Sequence, residues 1–317
     1  MPGALSGESF PDGGGFTATP QAEPLTRSAA LRAMSGHVSM AHQILAPLVL
    51  DGWFVLHQFF RLDPDSLAES GAPDATELAA EADAFAGILT MWDNLGDRGW
   101  SGLYRIVGGG TDYMIVHFRD SLRALGEAER DLARTPFLRH FEPTGDYVSV
   151  VELGLYGLTD TLLREAAAAG IAPGSEEWQA VVEKHLAEER EKRHVQARLR
   201  PTQPEEMPYV CFYPMDKRRN VGQNWYMLPL TERASLMVEH GNTGRRYAGR
   251  ISQIISGSVG MDDWEWAVTL FACDPLDLKA LVTEMRYDEV SAIYAEFGSF
   301  WIGYRVLAER IARELVG

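Results

Sequence analysis

Between Tyr213 and Leu228 the sequence reads YPMDKRRNVGQNWYML, which puts a tyrosine, a lysine and two arginines within seven consecutive residues. The preceding YVCF has the character of a buried strand, so Tyr209, Cys211 and Tyr213 share one face at the strand period of two. Proline has no backbone donor, and Pro214 is expected to break the strand, leaving Lys217 just past its end. A tyrosine at an apolar strand end, beside lysine and arginine, suits a largely apolar ligand that carries carboxylates. Arginine grips a carboxylate with two parallel hydrogen bonds, and lysine supplies a compact charge or a proton.

A tyrosine in that position can also yield a one-electron oxidation product if an oxidant forms nearby. A macrocyclic iron cofactor with one axial histidine would supply that oxidant. His240, in LMVEHGNTGRRYAG, lies four and three residues after Leu236 and Met237 and shares their helix face. Gly241 is expected to end that helix. The position fits either a satisfied core histidine or an axial metal ligand. Gln253 shares a strand face with Ile251 and Ile255, where a buried amide needs a partner; nearby backbone would serve.

The other seven histidines are less suggestive: His57 and His117 fall in strand patterns, and His185 and His194 on a charged helix. The sequence lacks H-E-x-x-H, G-x-x-x-x-G-K-[ST] and G-x-S-x-G, which disfavours zinc hydrolysis, nucleotide binding and a nucleophile elbow. Cys211 and Cys273 are far apart, so a disulfide scaffold, a zinc site and covalently attached haem are not expected; both read as buried apolar thiols. A net charge of -16 argues against nucleic-acid binding. No apolar run approaches the ~20 residues of a membrane span. The N-terminus does not read as a secretory signal, and a cytoplasmic location is expected.

The elements that must position these residues repeat a pattern. WFVLHQFF, SGLYRIV, TDYMIVHF and DYVSVVEL read as strands, with GGG as a hairpin signal between the middle two. ATELAAEADAFAGILTMW and SLRALGEAERDLARTPFL read as helices. The order is β-α-β-β-α-β, and the second half repeats it. YVCFYPM, GRISQIISGSV, WEWAVTLFA and SFWIGYRV are strands there, and TERASLMVEHG, with Thr231 as N-cap, and DPLDLKALVTEMRYDEV are helices. LAERIAREL is expected to add a terminal helix. The fold class is therefore α+β: two fused ferredoxin-like βαββαβ repeats forming a dimeric α+β barrel. The divisions are a mobile tail over 1–48, a first repeat over 49–156, a helical linker over 157–208 and a second repeat over 209–317. The linker carries one long charged helix, an oligomer contact or a solvated surface.

Four motifs in order, YPMDKRRN…NWYML, EHGNTGRRYAG, GSVGMDDWEWAVTLF and EMRYDEVSAIYAEFG, resemble the coproheme decarboxylases, haem-synthesis enzymes related to the chlorite dismutases. The resemblance is dense from about Arg198 to Tyr304 and weaker from about Gly52 to Leu153; the N-terminal tail matches nothing. It implies a homopentamer that converts Fe-coproporphyrin III (coproheme) to haem b with hydrogen peroxide. Two of four propionates become vinyl groups, through a three-propionate intermediate, with loss of carbon dioxide. It further implies His240 as axial iron ligand, Tyr213 as the residue that becomes a radical and takes hydrogen from the propionate, and Lys217 beside the second reacting propionate. Met215 and Trp225 match pocket residues, and Arg198, Arg286 and Ser291 match propionate-holding groups. Arg200 is the alternative to Arg198, because the spacing to Tyr213 carries an extra residue. Chlorite dismutases have arginine where Gln253 stands; a neutral amide holds an anionic oxidant less well. A chlorite dismutase-like haem enzyme and a non-catalytic haem carrier are the alternatives. Transient contact with the coproporphyrin ferrochelatase goes with the same resemblance.

Overall fold

The computed structural model describes residues 45–63, 65–67, 74–307 and 310. The expected tail up to residue 44 and most of the terminal helix lie outside them. The first unit runs β1 (Val49–Leu62), α1 (Ala75–Trp92), β2 (Gly99–Ile106), β3 (Tyr113–Arg119), α2 (Leu122–Ala133) and β4 (Phe141–Gly154). Three helices follow: α3 (Tyr156–Ala169), α4 (Glu176–Arg190) and α5 (Arg193–Leu199). The second unit runs β5 (Tyr209–Lys217), α6 (Leu230–Arg245), β6 (Ile251–Gly257), β7 (Trp266–Ala272), α7 (Pro275–Met285), α8 (Glu289–Tyr294), β8 (Ala295–Phe297) and β9 (Trp301–Arg305).

Every strand pairing is antiparallel, and the sheet closes on itself. The first unit contributes the order β4-β1-β3-β2 and the second β9-β5-β7-β6. The contacts β2–β9 and β4–β6 join the two, so each ferredoxin-like sheet covers the edges of the other. The short β8 branches off the end of β5. Alternation along the strands sends one set of side chains inward, including Trp53, Trp100, Phe118, Phe212 and Phe271. The outward set forms two further cores. Leu103 and Ile115 pack under Phe85 and Leu89 of α1. Cys211, Tyr213, Val268 and Leu270 pack under Leu278 and Leu281 of α7.

Local expectations needed correction where tertiary contacts intervene. Pro214 does not break β5: it pairs with Ala267 of β7, and the strand runs on to Lys217. Its carbonyl accepts the Gly298 amide at 2.9 Å, on the side where β9 has stopped and β8 begins. In a strand the amide and carbonyl of one residue point the same way, so the missing donor falls in that gap and removes nothing from the β5–β7 ladder. Gly241 does not end α6, which continues to Arg245; nor is Thr231 its N-cap, a place held by Pro229. The single linker helix is two, broken at Lys192, which lets Val195 and Leu199 of α5 turn into a cluster with Leu50 and Leu155, while α4 has no fully buried residue and adds only the partly buried Leu186. The last long helix divides as well, because Asp288 caps α8 through a 2.8 Å bond from the Ser291 amide. Cys211 is buried as expected, but Cys273, just beyond β7, is exposed.

Candidate functional site

Most of the residues singled out from sequence gather around the end of β5, between the outward face of the second unit's sheet and its helices; Arg198 instead stands on α5, which packs with Leu50 and Leu155. Tyr213 is 5% exposed, with its ring stacked on Phe300 at 4.4 Å and tilted against Phe297 at 5.8 Å. The Arg286 guanidinium lies 3.8 Å over the Phe297 ring and 5.8 Å from that of Phe300, so one aromatic platform backs both the tyrosine and an exposed cation. Burial pushes the Tyr213 phenol well above its ordinary range, with Cys211 adding to the rise and Arg286 opposing it. The hydroxyl is therefore neutral, a donor of hydrogen rather than a phenolate.

Lys217, the last residue of β5, is 8% exposed. Its Nζ sits 4.6 Å over the ring of Trp225, itself buried against Tyr294 and Tyr156. Burial lowers the amine to about 8, against the pull of Asp288 and Glu265. A proton held that loosely is available to a reacting group near neutral pH. Met215, half-buried on the face of Tyr213, lies between Trp266 and Phe297 across the ladder.

His240 reaches the same region from α6. Its Nδ1 is 2.8 Å from Asp288 Oδ2. A carboxylate only accepts, so Nδ1 carries the hydrogen, and in the neutral ring Nε2 keeps the free lone pair. Burial raises the Asp288 carboxyl, but bonds from His240 and Ser291 outweigh it and leave the group below its usual range. Asp288 thereby orients His240 with one oxygen and caps α8 with the other; Ser291 is buried within that cap. The spacing DEVS is the cap pattern that could have announced Asp288, had the segment not read as one helix.

Gln253 lies on the outward face of β6 and abuts α6: a Cβ on Gly244 would meet its amide nitrogen at 3.3 Å. Gly244 is one turn beyond His240, which brings the glutamine to the histidine's helix. Arg198 of α5 is exposed, and partial desolvation and then the Arg245 guanidinium lower its pKa. Arg200, the alternative, is the exposed C-cap of α5. His57 and His117 stand apart from the site. Both are fully buried, bonded to Thr269 and Ser101, and lowered to about 3 by burial.

A histidine oriented by a carboxylate, with its second nitrogen free, is the usual arrangement of a metal ligand. Among the described residues no group of three His, Cys, Asp or Glu could hold a metal ion. One histidine suffices when the metal arrives with its remaining ligands, as iron does in a porphyrin. The nearby cations and aromatic faces fit the carboxylates and ring of such a group. These residues therefore fit a porphyrin-borne iron.

The chlorite dismutase family model matches residues 77–306, and the chain belongs to that family. A Halobacterium salinarum protein named as a candidate heme-binding protein is 42% identical over 262 residues, covering 82% of this chain and 49% of the relative. The chain thus spans about half the length of that curated relative. Among solved structures, a novel heme-binding protein from Thermus thermophilus is 38% identical with a TM-score of 0.69, over 86% of this chain and 97% of that one. An arginine-to-lysine variant of chlorite dismutase from Candidatus Nitrospira defluvii has a TM-score of 0.60 at 16% identity, over 84% and 96%, a likeness of fold alone.

Proposed function

We propose that the protein binds haem-type porphyrins and acts as a coproheme decarboxylase. The observation that carries this reading is the pairing at one strand end of a buried neutral phenol, Tyr213, with a buried ammonium, Lys217. A carrier needs neither group buried there. Bound coproheme, as substrate, brings the iron and four propionates and, with hydrogen peroxide, the oxidising power. His240 would hold the iron through Nε2, with Asp288 fixing its ring. Arg286, Ser291 and Arg198 would hold propionates, and Met215 and Trp225 would line the ring.

Tyr213 gives up its hydroxyl hydrogen as an electron and a proton, and the resulting phenoxyl takes a hydrogen atom from the β-carbon of a propionate. Loss of a second electron from that carbon releases carbon dioxide and leaves a vinyl group. Each decarboxylation consumes one peroxide and one proton and yields two waters. Lys217 is suited to deliver that proton beside the second propionate.

The direct test mixes the purified protein with iron-coproporphyrin III, adds peroxide and follows products by mass. Sequential losses of two carboxyl groups, ending at haem b, are expected. The names of the Halobacterium and Thermus relatives favour a second reading, a haem-binding protein without turnover; porphyrin bleaching without decarboxylated product would select it. The division into repeats over 49–156 and 209–317 with a linker over 157–208, the homopentamer, the cytoplasmic location and the ferrochelatase contact belong to the same proposal. No helix among the described residues is long and apolar enough to cross a membrane.

A further inference from the structure

The proposed reaction draws a proton from a buried lysine, which raises the question of what keeps that lysine in place and charged. Glu265 stands immediately before β7, 8% exposed. Its Oε2 accepts the Lys217 backbone amide at 2.9 Å, and its own amide donates to Asp216 Oδ1 at 2.7 Å. This reciprocal pair clasps the end of β5 to the start of β7. The other carboxylate oxygen, Oε1, is 3.6 Å from Arg219, which also reaches Asp216 at 3.7 Å and is itself exposed. Glu265 and Arg219 both line a surface cavity with Tyr226 and Trp266. One carboxylate therefore borders the buried end of β5 on one side and solvent on the other.

The charged groups facing Lys217 are few. Asp288 approaches from before α8, Glu265 from before β7, and Asp216, Arg218 and Arg219 belong to its own strand end; Glu296 of β8 pairs with Asp216. Asp288 is occupied by His240 and Ser291. Both carboxylates favour the Lys217 ammonium, Asp288 more than Glu265, but of the two Glu265 is the one that is also bonded to the Lys217 backbone and borders the surface cavity. We propose that Glu265 is a positioning residue of this site, holding Lys217 at the strand end and favouring its ammonium from the side of the solvent-facing cavity. This deepens, and rests on, the decarboxylase reading.

Glu265→Gln keeps an acceptor for the Lys217 amide and removes the charge. The chain has only four lysines, Lys184, Lys192, Lys217 and Lys279, so carbon-13 labelling of lysine lets Lys217 be titrated by NMR in the porphyrin-free protein. Its midpoint should fall by about one pH unit in Glu265→Gln and recover in part in Glu265→Asp. An unchanged midpoint overturns the proposal. With iron-coproporphyrin III and peroxide, Glu265→Gln should lose the first propionate within about twofold of the wild-type rate. The second loss should slow at least tenfold, increasingly so above neutral pH. Equal slowing of both steps at every pH, with a lowered Tm, would show a purely structural role and overturn it too. If the wild type makes no haem b while the midpoint still shifts, the decarboxylase reading fails, and the hold of Glu265 on Lys217 stands.

Discussion

Asp288 binds His240 across 48 residues, with Oδ2 2.8 Å from Nδ1, while its other oxygen caps the helix that follows. One carboxylate thus ties the candidate iron ligand to the start of α8. Asp288→Asn preserves a capping oxygen and removes the charge. Binding of ferric porphyrin should weaken by about 10–100-fold, the usual effect of losing a ligand's outer partner. His240→Ala should lose the axial bond altogether and keep the fold. Soret titrations with circular dichroism check both, and an unaltered ferric spectrum in His240→Ala would exclude this ligand.

Tyr213→Phe retains the ring stacked on Phe300 and removes only the hydroxyl. Porphyrin affinity should change little, since a neutral hydrogen bond is worth about 0.5–1.5 kcal/mol net. Decarboxylation should nearly vanish. A mass-resolved time course decides, and normal haem b formation would sink the radical role.

Lys217 predicts a pH signature in stability as well as in rate. Its pKa falls from 10.5 unfolded to about 8 folded, so the unfolded chain binds more protons between those values and stability rises with pH across that window. Below pH 8 the full cost of burying the charge is present. Lys217→Met should therefore stabilise the protein at pH 7 by on the order of 3 kcal/mol, at about 1.4 kcal/mol per pKa unit, with the gain fading as pH rises through the window. Denaturant melts of both proteins at several pH values test this. In turnover, Lys217→Ala should accumulate the three-propionate intermediate. Clean passage to haem b would reduce Lys217 to a binding charge.

On the resemblance read from the sequence, Gln253 puts a neutral amide where an arginine is implied for chlorite dismutases. Wild type should release negligible oxygen from chlorite, measured with an oxygen electrode. Brisk oxygen evolution would move the reading to chlorite dismutation.

Gly298 lies against the proline that β5 absorbs. A Cβ there would meet Pro214 Cγ at 2.7 Å and Trp264 at 3.1 Å. Gly298→Ala should cost about 1–3 kcal/mol, as overpacking does, read as a lower Tm, and should disturb Lys217 more than His240 because Pro214 is on the same strand.

Much of the fold was legible from local chemistry. Alternation marked the strands, α1 matched the alanine-rich run residue for residue, and Gly108 to Gly110, all at positive φ, made the expected hairpin. The second-unit candidates were legible too, because Tyr213 and Lys217 are close in sequence and Gln253 keeps the period of its strand. What the sequence could not decide depends on neighbours distant along the chain. Whether Pro214 breaks β5 turns on where β9 stops and β8 starts; whether Gly241 ends α6 turns on packing rather than on glycine's freedom. The linker breaks where Val195 and Leu199 find an apolar cluster. Closure of the sheet needs β2 to meet β9 and β4 to meet β6, contacts that no local pattern encodes. Asp288 and Glu265 acquire their parts in the same way: a carboxylate's role is set by the donor that folding brings within 3 Å, and for His240 and Lys217 that partner lies some fifty residues away.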